Sequence, residues 1–363
     1  MKKITFTVTN DLVYDQRMQR ICTSIANAGY DVVLIGRKLK KSNPLKQQPY
    51  RQKRLFCFFT DGKLFYLEYN LRLFFVLLFI KVDCYCAIDL DTILPNYFAS
   101  LIKGKKRVYD AHELFTEQKE IVTRPSIKKM WLSVERFAVP KFQHGYTVNE
   151  FIVNEFKTRY GVRYSLVRNL PKLNRIIPAP NSENPFIIYQ GAVNEGRSFE
   201  TLIPAMKKVN ARLVICGNGN FFDQLKKLIK ENEVDDKVEL RGMVQPDELR
   251  NITPQGSVAV MLFENTGLNQ YQSLANRFFD YIMAGVPQLC VNYPQYKAIN
   301  DQYHVAALIN DTSEETIANG LNNLLENNVV LDQIRTNCIT AREKLNWENE
   351  EKTLLEFYKK LFT

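Results

Sequence analysis

Short β-rich runs alternate with stretches of helical periodicity along the whole chain, the pattern of parallel sheets covered by helices. The first half offers candidate strands at 4–9, 31–35, 55–59, 84–88, 107–109 and 145–148. The second offers 185–190, 211–216, 237–241, 257–263, 288–291 and 305–309. Between the first two strands, Met18, Ile21, Cys22, Ile25 and Ala26 form one helical stripe that Gly29 ends. Pro171, Pro178 and Pro180 interrupt both periodicities. They divide the chain into expected domains at 1–170 and 171–345, with a terminal helical stretch, 346–363, expected to pack toward the first domain. The apolar run from Leu73 to Ile80 is far short of the ~20 residues that span a bilayer; it reads as a core helix of an α/β domain, with a membrane-dipping helix as the alternative.

Composition narrows the class. At 363 residues, 45% hydrophobic and 12% aromatic, the chain suits two α/β domains with sizeable cores. Its start reads as a strand rather than a signal peptide. Seven scattered cysteines with no CxxC pair fit small buried hydrophobes in a reducing cytoplasm. The three histidines lack metal-ligand spacing, which argues against a zinc site. Net charge is +10, and from Arg37 to Arg54 eight bases occur without an acid. That run reads as a solvated loop, or as a contact for an anionic membrane surface or a phosphorylated acceptor. No recognised nucleic-acid motif accompanies it.

Candidate chemistry gathers after the second-half strands. Gly191 and Gly196-Arg197 follow the first, Gly217-x-Gly219 the second, and Gly242-Met243 the third. Glycine allows close backbone approach, and an arginine offers a forked donor to a diphosphate. Asp280 sits on a helical segment stopped by Gly285, ahead of a buried strand opened by Pro287. Such a carboxylate can bond ribose hydroxyls or can be a solvated surface acid. Taken singly, each turn also reads as a plain strand-to-helix connection. In order, they suit a nucleotide diphosphate held by amide donors, a base and an acid.

These residues resemble the donor domain of GT-B glycosyltransferases, in particular the retaining family 4 group. In that family a glycine after the first strand is followed six residues later by a phosphate-contacting Lys or Arg, here Gly191 and Arg197. The arginine often found directly after the glycine is Ala192 here. The family's two glutamates map to Gln272 and Asp280, and Asn276-Arg-Phe-Phe-Asp-Tyr281 is close to a variant that lacks the first glutamate. In the first half, Asn10 through Met18 resembles the loop that approaches the donor diphosphate, and Asp89-Leu-Asp91 resembles an acidic turn. Asp110-Ala-His112-Glu113 resembles the family's Asp-x-His-Glu turn. Glu135 and Val167 through Pro171 match further recurrent elements.

The resemblance implies two Rossmann-like domains facing a cleft. It also implies retaining transfer from a UDP- or GDP-type sugar to a glycan or lipid-linked acceptor in surface polysaccharide assembly, without a metal. His112 and Arg197 are the implied catalytic residues. Asn10, Gly191, Arg197, Gly217, Gly219, Met243, Gln272, Asn276 and Asp280 are the implied donor contacts. The implied place is the cytoplasm, peripheral to the inner face of the membrane. A non-hydrolysing nucleotide-sugar epimerase and a non-catalytic binding protein are the alternatives.

Overall fold

The computed structural model describes residues 1–13, 15–180 and 184–363, so Tyr14 of the first-strand loop lies outside the described residues. The chain divides into two compact units, 1–169 with 350–363, and 170–349.

The first unit holds seven parallel strands: β1 (Lys3–Thr7), β2 (Asp31–Lys38), β3 (Arg51–Phe56), β4 (Cys84–Ile88), β5 (Lys106–Ala111), β6 (His144–Thr147) and β7 (Ser165–Leu166). Their order across the sheet is 3-2-1-4-5-6-7. The central strands β4 and β5 bury nearly every side chain, as a sheet covered on both faces requires. The second unit holds six parallel strands: β8 (Phe186–Gln190), β9 (Arg212–Cys216), β10 (Val238–Gly242), β11 (Val258–Met261), β12 (Gln288–Val291) and β13 (Ala306–Ile309). Their order is 10-9-8-11-12-13. Both sheets are doubly wound, and strand order reverses between β1 and β4 and between β8 and β11. Crevices open at such reversals beyond the carboxyl ends of the strands.

Local sequence explains the helices that enter these crevices. Asp15 caps the helix Gln16–Asn27 by accepting from the Met18 amide. Gly285 takes the left-handed conformation that ends the helix Asn276–Ala284. From Glu350 on, the last helix, Trp347–Phe362, belongs to the first unit, where Tyr358 packs against Phe6 and Tyr146.

One sequence expectation changes, one is qualified, and one strand is added. The Arg37–Arg54 run is not one solvated loop: it finishes β2 and forms most of edge strand β3. Within it Arg51 pairs with Asp31, and Arg54 pairs with Asp11. The run Leu73–Ile80 packs on the core as expected, through Leu73 and Leu77, but on one side only. It ends the helix Gly62–Phe79, of which only Phe65, Tyr69, Leu73 and Leu77 are buried. The two-residue strand β7 carried no sequence signal.

Candidate active site

In the second unit, the loops after β8 and β9 interlock. The Gly191 amide donates to the Cys216 carbonyl, Val193 to Asn218, and Phe221 back to Val193. The closeness of this fit explains the glycines. A Cβ on Gly217 would lie 1.8 Å from the Gly191 carbonyl oxygen, and one on Gly219 would lie 2.3 Å from that of Val193. Gly217→Ala is therefore expected to cost stability at the upper end of the ~1–3 kcal/mol typical of overpacking, measurable by chemical denaturation.

Arg197 follows the left-handed Gly196 and lays its guanidinium over the Phe263 ring, 4.1 Å from the centroid. The sequence reading missed a second arginine there. Arg277, on the helix Asn276–Ala284, is buried with its guanidinium 4.7 Å from the same ring and 4.5 Å from that of Tyr189. Its Nη2 donates to the Leu262 carbonyl, and its Nη1 is the side-chain atom nearest to where a Gly191 Cβ would be. Neither arginine has a carboxylate partner among the described residues. Burial, and then the charge of Arg277, push the Arg197 pKa down to about 10. Two desolvated cations without a counter-charge are costly unless an anion completes them. Arg277 thus brings a second guanidinium beside Gly191 from a different element than the loop that carries Ala192. The signal available in sequence was the single base of the Asn276–Tyr281 motif.

Asp280 accepts from the Gln190 side chain at 3.2 Å, and Gln190 in turn accepts from Thr253. The half-buried acid is therefore anchored at the end of β8, not loose on the surface. Asn276 is exposed at the first turn of the same helix. Met243 is exposed beyond β10, after the left-handed Gly242. Gln272 lies past the short helix Leu268–Tyr271 and accepts from Gln295 at 3.3 Å. Gly191, Arg197, Gly217, Gly219 and Asp280 thus share the carboxyl ends of β8 and β9 and the helix beside them. Met243 marks the end of neighbouring β10.

In the first unit, the ends of β1, β4 and β5 collect a charged cluster. The Arg17 guanidinium reaches Asp110 at 3.0 Å and the Val167 carbonyl at 3.2 Å, and both members of the ion pair are buried. His112 is held from two sides, Nδ1 at 3.4 Å from Asp89 and Nε2 at 3.2 Å from Asp110. Burial opposes the imidazolium charge, but Asp89 and Asp110 outweigh it and raise the His112 pKa to about 9. His112 is an implied catalytic residue, and both its ring nitrogens are engaged by carboxylates. Burial raises Asp89 to about 6; burial and the Asp89 charge raise Asp91 to about 7, against the bond from Thr9. Asp110 stays below the usual carboxylate range because Arg17 and His112 overcome its burial. Asp89 also holds a left-handed backbone, φ 55°, the strained geometry that functional turns retain. Asn10 bonds Asp15 beside this cluster, while Glu135 is buried and accepts from Tyr160.

The cluster makes a pH prediction. A His112 pKa raised from its ordinary value to about 9 contributes about 3 kcal/mol, present below about pH 6.5 and lost as pH rises through 9. The raised Asp89 and Asp91 act in the same direction at lower pH, favouring the fold while they stay protonated. Stability of the wild type should therefore decline between about pH 6.5 and 9, and His112→Gln should flatten that decline. Parallel melting curves for the two proteins across that window would refute the coupling.

Comparison with known proteins agrees with this geometry. Residues 172–344 match the family described as glycosyl transferases group 1. An uncharacterized glycosyltransferase of Methanocaldococcus jannaschii is 26% identical over 184 residues, 49% of this chain and 45% of that relative, so the match spans under half of the relative's length. Among solved structures, sucrose-phosphate synthase from Thermosynechococcus elongatus is similar with a TM-score of 0.80 at 16% identity, over 100% of this chain and 99% of that one. Anabaena HepE in complex with UDP and glucose is similar with a TM-score of 0.78 at 12% identity, over 99% and 100%. At these identities the structural likeness establishes the fold, two parallel doubly wound sheets with covering helices. The family match covers residues 172–344, just under half of the chain, and with the solved structures it likens the chain to glycosyl transferases group 1 on the GT-B fold.

Proposed function

We propose that the chain transfers a sugar from a nucleotide-diphosphate donor to a glycan or lipid-linked acceptor, with retention of anomeric configuration. The observation that carries this reading is the pair Arg197 and Arg277, two guanidiniums on one phenylalanine ring beside Gly191, with no carboxylate partner among the described residues. A diphosphate supplies the missing charge. As the sugar bond breaks, negative charge grows on the departing phosphate, and donors already in place stabilise it. Asp280, steadied by Gln190, is positioned for ribose hydroxyls. The neutral Gln272 offers no carboxylate nucleophile on the donor side, which favours a front-face route in which the phosphate itself takes the acceptor proton. Two guanidiniums and turn amides supply the positive charge, so no metal is needed in this scheme.

His112 serves here through its charge, as an imidazolium fixed by Asp89 and Asp110, rather than as a free base. That arrangement weighs against the epimerase alternative, which needs an unoccupied acid–base pair. The solved HepE complexes with UDP and with UDP-glucose make a UDP-sugar the first donor to try. Participation in surface polysaccharide assembly belongs to the same proposal. The test is a thermal-shift panel of UDP, GDP and their sugars, followed by transfer assays with the stabilising donor. At about 100 times its Kd a nucleotide adds about 2.7 kcal/mol. Failure of every nucleotide to raise the melting temperature would overturn the site. Epimerised nucleotide sugar formed without acceptor would favour the alternative.

A further inference from the structure

The helix Gly62–Phe79 is apolar on nearly every face, yet only one face is buried against the sheet. Leu64, Leu67, Leu71, Phe75 and Phe79 form an outward row at helical spacing, each between 51% and 84% exposed. Phe58, 72% exposed, adds to the row from the preceding loop, with the Arg72 guanidinium over its ring. At the far end, Lys103 donates to the carbonyls of Leu78 and Ile80, which brings the exposed Leu101 and Ile102 of the adjoining helix to the same edge. An exposed apolar row of this length is unusual for a surface in contact only with water.

Charge says what covers it. From residue 37 to 81 there are eleven lysines and arginines and two acids, Asp61 and Glu68, so this stretch carries +9 of the chain's +10. Glu68 is already committed to the Phe58 and Phe59 amides and to Arg72. Lys63 and Lys81 flank the two ends of the row. A second copy of the chain would bring two such positive faces together, whereas an anionic lipid surface neutralises the bases and receives the apolar row. No described helix is long and apolar enough to cross a membrane, so the contact lies in the interface plane.

We propose that the outward face of the helix Gly62–Phe79, with its flanking lysines, docks the protein on an anionic bilayer. This goes beyond the transfer reading and moves the membrane contact from the Arg37–Arg54 run, part of which is tied into ion pairs, to the neighbouring helix. The test is flotation of the full chain, without donor, on vesicles of equal parts phosphatidylglycerol and phosphatidylcholine and on phosphatidylcholine alone. The wild type should float with the anionic vesicles and be released by salt. Leu67→Glu/Leu71→Glu/Phe75→Glu should abolish flotation while keeping the wild-type melting temperature and nucleotide-induced shift, since all three side chains are exposed. Lys63→Gln/Lys81→Gln should weaken anionic binding by about one to two orders of magnitude. Absence of wild-type flotation, flotation equal on both vesicles, or undiminished flotation of the triple variant would overturn the proposal. So would a concentration-dependent dimer that only the triple variant loses. None of these outcomes depends on whether a donor binds.

Discussion

Replacing Arg277 by methionine is expected to lower kcat/KM for the nucleotide sugar about 100- to 1,000-fold, the range seen when one preorganised donor to a developing anion is removed. The same substitution should leave the unliganded protein about as stable as before. Methionine fills similar space between Tyr189 and Phe263, and the loss of the bond to the Leu262 carbonyl, about 1 kcal/mol, is offset by relief of two like charges near one ring. Nucleotide-induced stabilisation should shrink in parallel with activity. Arg277→Lys should recover only part, because a point charge cannot reproduce the fork. Arg197→Met should behave similarly. The double variant should lose less than the product of the single losses, since both groups answer one phosphate group. Unchanged kcat/KM and an unchanged nucleotide shift in Arg277→Met would remove it from the site.

Arg17→Met is expected to destabilise the first unit by about 3–5 kcal/mol, the usual consequence of leaving a buried charge without its partner. The pair is 3.0 Å apart with 4% and 0% of the two side chains exposed. Removing the guanidinium also strips the Val167 carbonyl of its donor. His112 then neutralises Asp110 alone, while Asp89 competes for the same imidazolium. At about 2–4 °C per kcal/mol for a unit of this size, the melting temperature should fall by about 10 °C. Adding Asp110→Leu should restore part of the loss, because no orphaned carboxylate remains. A cost below about 1 kcal/mol for the single variant would show that the pair is not the organising contact.

The sequence made most strands legible because their side chains are buried on both faces and read as apolar runs. β3 was expected four residues late, at 55–59, because it is an edge strand whose exposed Arg51 and Lys53 break the apolar run. The outward face of the helix Gly62–Phe79 went unread for the opposite reason. Apolar residues on all sides erase the period that distinguishes an inward from an outward face. The glycine turns of the site were visible, but not why they are glycine: Gly217 is constrained by the Gly191 carbonyl, a contact between two strand ends. Arg277 was present in a motif already singled out, yet its role depends on Phe263 and Arg197, supplied from two other elements. The grip on His112 was half visible, since Asp110 is two residues away and Asp89 follows a different strand, β4.

Arg277 and Asp280 lie three residues apart on one helix, a separation of about 4.5 Å along its axis. If one binds the phosphates and the other the ribose, the helix acts as a ruler that measures the distance between two parts of the donor. A ruler of this kind depends on its length as much as on the side chains at its ends. One residue inserted between the two positions would swing Asp280 about 100° around the axis, away from Gln190, while Arg277 stayed in place. An insertion or deletion between Arg277 and Asp280 should therefore cost donor affinity on the scale of losing one of the two side chains, with both side chains still present.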